Sequence, residues 1–178
     1  MYTYESHVKP FSEKFHRIKL DDSHYQKANE WAERVAIEKQ KESHWQIDNH
    51  QGIKRIRTGV LGEIAIEIFL DKDFIDWSID ESKYYHTPDL KSIGFNTGVK
   101  TVEYGKFPVI FKSNTYPQII NIIRHDDRTV FLCGVASSDA LNNYQSDDLI
   151  ISPQLRARGT KTGFYGFEHL KYPEDWQF

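Results

Sequence analysis

The chain has 178 residues and a net charge of −3, with 39% hydrophobic and 28% charged residues, which is typical of one globular domain. The negative net charge excludes a protein that coats nucleic acid non-specifically, so any charge that binds DNA must be local. A single cysteine, Cys133, excludes an intrachain disulfide and a zinc site built from cysteines.

The N-terminus and the apolar runs indicate where the protein works. The opening residues, MYTYESHVKPF, lack the apolar core of a signal peptide. The longest apolar run, residues 60–70, is interrupted by Glu63 and Glu67 and cannot span a membrane. These features predict a cytoplasmic protein with no membrane partner.

Two helices are predicted after an irregular segment, residues 1–21. Asp21, Asp22 and Ser23 supply N-cap chemistry for a helix that runs to about Glu42 with one apolar stripe. A second helix is predicted over residues 53–70, where apolar residues recur at helical spacing on a wide face. Its two glycines, at 59 and 62, lower helix propensity but allow another backbone to approach closely.

The pattern then changes to strands. Strands are predicted over residues 76–80, 87–93, 97–104, 109–111, 119–124 and 130–136. The last is an almost continuous apolar run typical of a central strand, and a short helix over 138–144 follows it. This order predicts an α/β domain with a mixed sheet flanked by helices. The core is expected over about 53–137, between an N-terminal helical extension, 1–52, and a basic and aromatic C-terminal segment, 138–178.

Asp89 and Lys100 are the candidate catalytic residues on the predicted strands. The predicted strands 87–93 and 97–104, joined by a turn at 94–96, would bring the two side chains together at one end of the sheet. An unpaired lysine within a sheet is costly, and apolar neighbours surround Glu63 on its helix, so we expect both charges to be paired. Hydrolysis of a phosphodiester uses such a set: carboxylates for a hard cation and a lysine beside the attacking water.

The residues Pro88-Asp89 and Gly98-Val99-Lys100 resemble the motif of the PD-(D/E)xK nuclease superfamily, which includes many restriction endonucleases. The resemblance covers roughly residues 53–137 and implies a restriction-endonuclease-like mixed sheet with the element order α, β, β, β, α, β. It implies that Asp89, Glu63 and the carbonyl of Val99 hold Mg²⁺ or Mn²⁺ and that Lys100 orients the attacking water.

One position departs from that family pattern. Gly98 stands where the third motif usually has an acid, two residues before the lysine. Glu63 is the best substitute, because it lies on the helix expected to pack at the site. Glu103 is the second candidate, although a residue three positions past Lys100 should face the opposite side of a regular strand.

Basic residues near the site are candidate nucleic-acid contacts. They are Lys54, Arg55 and Arg57 before the helix core, and Arg156, Arg158 and Lys161 in a segment rich in aromatic residues. A solvated face and a flexible loop are the alternatives. His86, three residues before Asp89, is a further candidate near the site.

The expected function is a Mg²⁺- or Mn²⁺-dependent DNA endonuclease, with a possible homodimer for cutting both strands. The chain contains no P-loop, no dinucleotide-binding glycine fingerprint and no GxSxG, so no nucleotide cofactor is expected. Each residue also has a plainer interpretation: Asp89 as a turn residue, Lys100 as a charge on an edge strand, and Glu63 with Glu67 as a solvated pair. A catalytically inactive protein that binds nucleic acid or a protein partner is therefore the alternative.

Overall fold

A mixed four-stranded sheet forms the centre of the computed structural model, which describes residues 1–39, 49–79 and 87–177. Its strand order is β1-β5-β4-β2, with bounds His16–Lys19 (β1), Gly98–Glu103 (β2), Gln118–Ile123 (β4) and Thr129–Ala136 (β5). β2 and β4 are parallel, and the other neighbours are antiparallel. The apolar run 130–136 is a central strand, as predicted, and β2 lies at one edge.

Helices cover one face of this sheet. α2 (Asp22–Lys39) packs on α3 (Asn49–Leu70), and α3 packs on the sheet, mainly along β2. Val60, Leu61, Ile64 and Ala65 of α3 are buried, as helical spacing predicts, whereas Ile68 of the predicted stripe is 43% exposed. α3 begins four positions before the predicted 53, and the predicted end of α2 at Glu42 lies outside the described residues.

A smaller sheet and the C-terminal segment cover the other face. The strand order is β3-β7-β6, with bounds Val109–Phe111 (β3), Gln145–Ser146 (β6) and Lys161–Phe164 (β7). Its core joins Ile120 and Ile122 of β4 to Phe164 and Phe167. Short helices, Tyr4–His7 (α1), Ser138–Asn143 (α4) and Pro153–Arg158 (α5), complete this side. The protein is therefore a mixed α/β structure whose terminal segments are part of the packed core.

Two predicted strands are wrong. Residues 87–97 form a compact loop with a 3₁₀ turn at Lys91–Ile93 and Gly94 in the left-handed region (φ 96°). In this loop, Leu90 N–H donates to the Thr97 carbonyl (3.0 Å), so the segment folds back along the outer edge of β2. Its apolar residues point inward at turn spacing, with Leu90 fully buried, which mimics the alternation of a strand.

The segment 76–79 also contains no strand, and Asp80 lies outside the described residues. Its polar backbone groups pair with side chains: Trp31 Nε1–H donates to the Trp77 carbonyl (3.0 Å) and Ser78 N–H to Asp76 Oδ1 (2.9 Å). The irregular segment predicted over residues 1–21 is wrong in three places, because it contains α1, a 3₁₀ helix (Lys9–Lys14) and β1. In the described ranges, no helix combines the length and apolarity needed to cross a bilayer.

Candidate active site

Asp89 lies against the open edge of β2. Gly98 N–H donates towards β4, to the Pro117 carbonyl (3.0 Å), so the next amide, that of Val99, points to the opposite edge. There Val99 N–H donates to Asp89 Oδ2 at 2.6 Å. Because the N–H and C=O of one strand residue share a direction, the Val99 carbonyl also faces the edge occupied by Asp89.

Glu63 reaches the same place from α3. It is partly buried, and its pKa is raised well above the usual value, first by burial, then by Asp89 and Glu67. The pKa of Asp89 is also raised by burial, against the lowering effects of the Val99 amide and Lys100. Asp89 is exposed as a residue, but its carboxylate is turned inward against β2. Two carboxylates far apart in the sequence therefore form one electrostatically coupled pair.

Lys100 faces away from α3. The neighbouring Thr101 packs directly against Gly62 of α3, and strand alternation sends Lys100 towards the smaller sheet. Burial is the largest cause that lowers the pKa of Lys100 to about 8, followed by Lys161, while Asp89 opposes the shift. Although β2 is an edge strand, Lys100 is shielded from solvent, unlike a lysine that an edge strand exposes.

Glu67 and Glu103 are occupied elsewhere. Glu67 Oε2 accepts the N–H groups of Phe74 (2.6 Å) and Ile75 (3.1 Å) and so holds the chain that leaves α3. The Glu103 carboxylate pairs with Lys54 (2.9 Å) and Lys106 (2.8 Å), which lowers its pKa. As predicted, Glu103 lies on the opposite side of the strand from Lys100, about 10 Å further along it. Glu103 is thus committed to ion pairs with Lys54 and Lys106, and Glu63 remains the stronger candidate for the missing acid.

The other basic candidates divide into two groups. Arg57 is structural, because it donates to Asn29 (2.7 Å), pairs with Asp127 (3.6 Å) and lies over the ring of Tyr25. Arg156, in the last turn of α5, donates to the carbonyl of Ile150, which precedes the helix (3.1 Å). The remaining residues interact electrostatically around Lys100, and we call them the basic cluster: Arg55, Lys100, Arg158 and Lys161.

Lys161 connects this cluster to the small sheet. Its Nζ lies 5.1 Å from the ring centre of Phe111, and its pKa is lowered first by burial, then by Arg55 and Arg158. A cavity of about 370 Å³ begins beside Phe111 and extends to Tyr116. Two partly buried lysines, Lys100 and Lys161, with the exposed Arg55 and Arg158 near them are suited to an anion with several negative oxygens, such as a nucleic-acid backbone.

Two residues near the site are missed by the sequence patterns. Tyr116 has its pKa raised by burial and by the charge of Asp89, so its hydroxyl belongs to the same surroundings. Gln118 lies opposite Gly98 in the parallel register of β2 and β4. A Cβ placed on Gly98 would meet Gln118 Oε1 at 2.6 Å. Neither residue carries a local signal, because both depend on which strand pairs with β2.

The donor set fits a small hard cation. In residues 1–39, 49–79 and 87–177, no three His, Cys, Asp or Glu side chains are grouped as a metal site, and His86 lies outside those ranges. Magnesium, however, usually takes one or two carboxylates and fills its remaining positions with water and substrate oxygens. Glu63, Asp89 and the Val99 carbonyl provide that set. No family model matches the chain, and no match was found among curated proteins or solved structures.

Proposed function

We propose that the protein is a divalent-metal-dependent deoxyribonuclease with a restriction-endonuclease-like active site at the edge of β2. The observation that carries this proposal is that Asp89, on a loop, interacts electrostatically both with Glu63 of α3 and with Lys100 of β2. Two buried carboxylates that repel each other gain from a shared cation, so the pair is suited to Mg²⁺ or Mn²⁺.

Different residues of the site would bind the metal and position the attacking water. Glu63, Asp89 and the Val99 carbonyl would hold the metal, which supplies Lewis-acid activation of the phosphate and of a bound water. Lys100 lies beside Asp89 with a pKa of about 8, so it can position the attacking water near neutral pH and share a proton with it. In its charged form it also opposes the negative charge that develops on the phosphate.

The basic cluster would hold the DNA backbone on the same side. Arg55 and Lys161 act electrostatically on Lys100, and Arg158 acts on Lys161, so a phosphate bound among them would lie near the reacting group. Cutting both strands of a duplex requires two such sites, and for that reaction we propose a homodimer.

A second candidate function is nucleic-acid binding without cleavage. Gly98 favours it, because this position of β2 contributes no carboxylate to the metal. The basic cluster would then bind the backbone, and the Glu63–Asp89 pair would be a remnant of a catalytic site.

An assay with supercoiled plasmid distinguishes DNA cleavage from DNA binding without cleavage. We expect nicking in Mg²⁺ or Mn²⁺ that is lost on chelation and in Asp89→Asn, Glu63→Gln and Lys100→Met. Glu30→Gln, on the exposed face of α2, is the matched control and should retain activity. Retardation of the plasmid without nicking in either metal would favour the binding function, and cleavage of RNA but not DNA would correct the substrate.

A further inference from the structure

Gln118 occupies the space that a side chain at position 98 would fill. An ideal Cβ on Gly98 lies 2.6 Å from Gln118 Oε1, 3.0 Å from Cδ and 3.1 Å from Nε2. The first distance is close to that between the Cβ of an aspartate and its own carboxylate oxygens. The Gln118 amide therefore fills the space that a side chain from position 98 would enter, with its oxygen at about that distance from the Cβ position.

The register of β2 and β4 explains why the Gln118 side chain lies beside Gly98. Gly98 and Gln118 are partners in the parallel β2–β4 ladder, so their side-chain directions lie on the same face. Lys100, two residues along, shares that face and interacts with Asp89. Within the described ranges, no residue hydrogen-bonds to the Gln118 amide. The Gln118 amide thus lies against Gly98 at the start of β2, and Asp89 occupies the outer edge of the same strand at Val99.

We propose that Gln118 supplies the oxygen ligand that Gly98 does not, so the metal is held by Glu63, Asp89, the Val99 carbonyl and the Gln118 amide. Amide and backbone carbonyl oxygens are accepted ligands of hard cations alongside carboxylates. The glycine and the glutamine form one unit, because any side chain at 98 would displace the amide. Since this role presupposes the metal site proposed above, its test must distinguish the two.

Mn²⁺ affinity, measured by calorimetry and electron paramagnetic resonance without DNA, is the appropriate readout. Gln118→Met preserves side-chain size but removes the amide, and we expect it to lower Mn²⁺ affinity about tenfold. Gln118→Glu retains an oxygen at the same distance and should bind Mn²⁺ at least as tightly as the wild type. Gln26→Ala, at an exposed position on α2, is the control and should bind normally.

A second pair of variants tests the same amide oxygen through substitutions at position 98 of β2. Gly98→Ala should weaken Mn²⁺ binding by a similar factor, because its Cβ pushes the amide aside. Gly98→Asp combined with Gln118→Ala should restore it, since the carboxylate then occupies the vacated space. Circular dichroism and thermal unfolding identify any variant that has lost its fold.

The outcomes separate the two proposals. A folded Gln118→Met protein with wild-type Mn²⁺ affinity overturns the ligand role of Gln118 and leaves the Glu63–Asp89 site intact. Weakening in Gln118→Glu equal to that in Gln118→Met also overturns it, because the role requires only an oxygen. A wild-type protein that binds no Mn²⁺ overturns the metal site itself and the role of Gln118 with it.

Discussion

Gly62 of α3 packs against Thr101 of β2 so closely that a Cβ at position 62 would lie 1.7 Å from Thr101 Oγ1. The Gly62 carbonyl also accepts a buried hydrogen bond from Asn121 Nδ2 (3.3 Å), which joins α3 to β4. The next residue of the helix is Glu63. The contact at Gly62 is therefore what lets the Glu63 carboxylate approach Asp89 at the edge of β2.

The two glycines of α3 should respond oppositely to alanine. Gly62→Ala must push α3 away from Thr101, so we expect a loss of about 1–3 kcal/mol in the free energy of unfolding, together with reduced Mn²⁺ affinity. A Cβ added to Gly59 would meet no described neighbour within 4 Å outside its own helix, so Gly59→Ala should stabilise the protein by about 0.5–1 kcal/mol. Denaturant unfolding measures both, and equal stability of the two variants would contradict the close approach.

Removing the charge of Glu63 should stabilise the metal-free protein. Its folded-state pKa is raised, so the ionised carboxylate costs stability as pH rises above its unfolded value of about 4.3. Glu63→Gln should therefore gain about 0.5–2 kcal/mol at pH 8, and the gain should vanish near pH 4. Mn²⁺ should raise the Tm of the wild type but not of this variant. A wild type that is more stable than Glu63→Gln without metal at pH 8 would show that the carboxylate pair is not repulsive.

Glu103→Gln should show the opposite pH dependence. The lysines beside Glu103 depress its folded-state pKa, so its stabilising effect is present above pH about 4.3 and lost as pH falls through the lower folded value. Lys54 and Lys106 are 50% and 56% exposed, so solvent screening limits the loss in the variant to about 1 kcal/mol or less at pH 7. Unfolding at pH 7 and pH 3 provides the comparison. Plasmid nicking should remain, and its loss would favour Glu103 as a metal ligand.

Lys161→Met should weaken DNA binding without regard to sequence. If Lys161 neutralises one backbone phosphate, the slope of log affinity against log salt should fall in magnitude by about 1. Lys14→Met, at an exposed position far along the chain from the cluster, is the matched control. Fluorescence anisotropy over a salt series measures the slope. An unchanged slope in Lys161→Met would place the DNA elsewhere on the surface.

Periodicity predicts the elements in which buried residues recur at regular spacing over many positions. α3 and β5 are confirmed in this way, because burial fixes every third or fourth residue of the helix and nearly every residue of the central strand. The loop at 87–97 has the pattern of a strand, since its 3₁₀ turn buries Leu90 at a similar spacing. β1 carries no such pattern because its only buried residue is Ile18.

The candidate site shows the same contrast between residues that local patterns predict and residues that depend on long-range pairing. Asp89 and Lys100 lie close in the chain, and Glu63 follows from the buried face of α3, so sequence patterns are enough to group them. Gln118 requires the register of two parallel strands, which no local pattern contains. Arg57 resembles a DNA contact in the sequence because its partner Asp127 lies in a distant turn.

The hydrogen bond from Val99 N–H to Asp89 has a consequence for how the protein behaves in solution. β2 is an edge strand, and Asp89 and Leu90 pair with the outward Val99 N–H and Thr97 carbonyl, which would otherwise be open to another chain. Truncation of Asp89 to alanine would uncover this edge and invite aggregation. Asparagine keeps an acceptor for the Val99 amide, so Asp89→Asn separates loss of the metal ligand from intermolecular strand pairing.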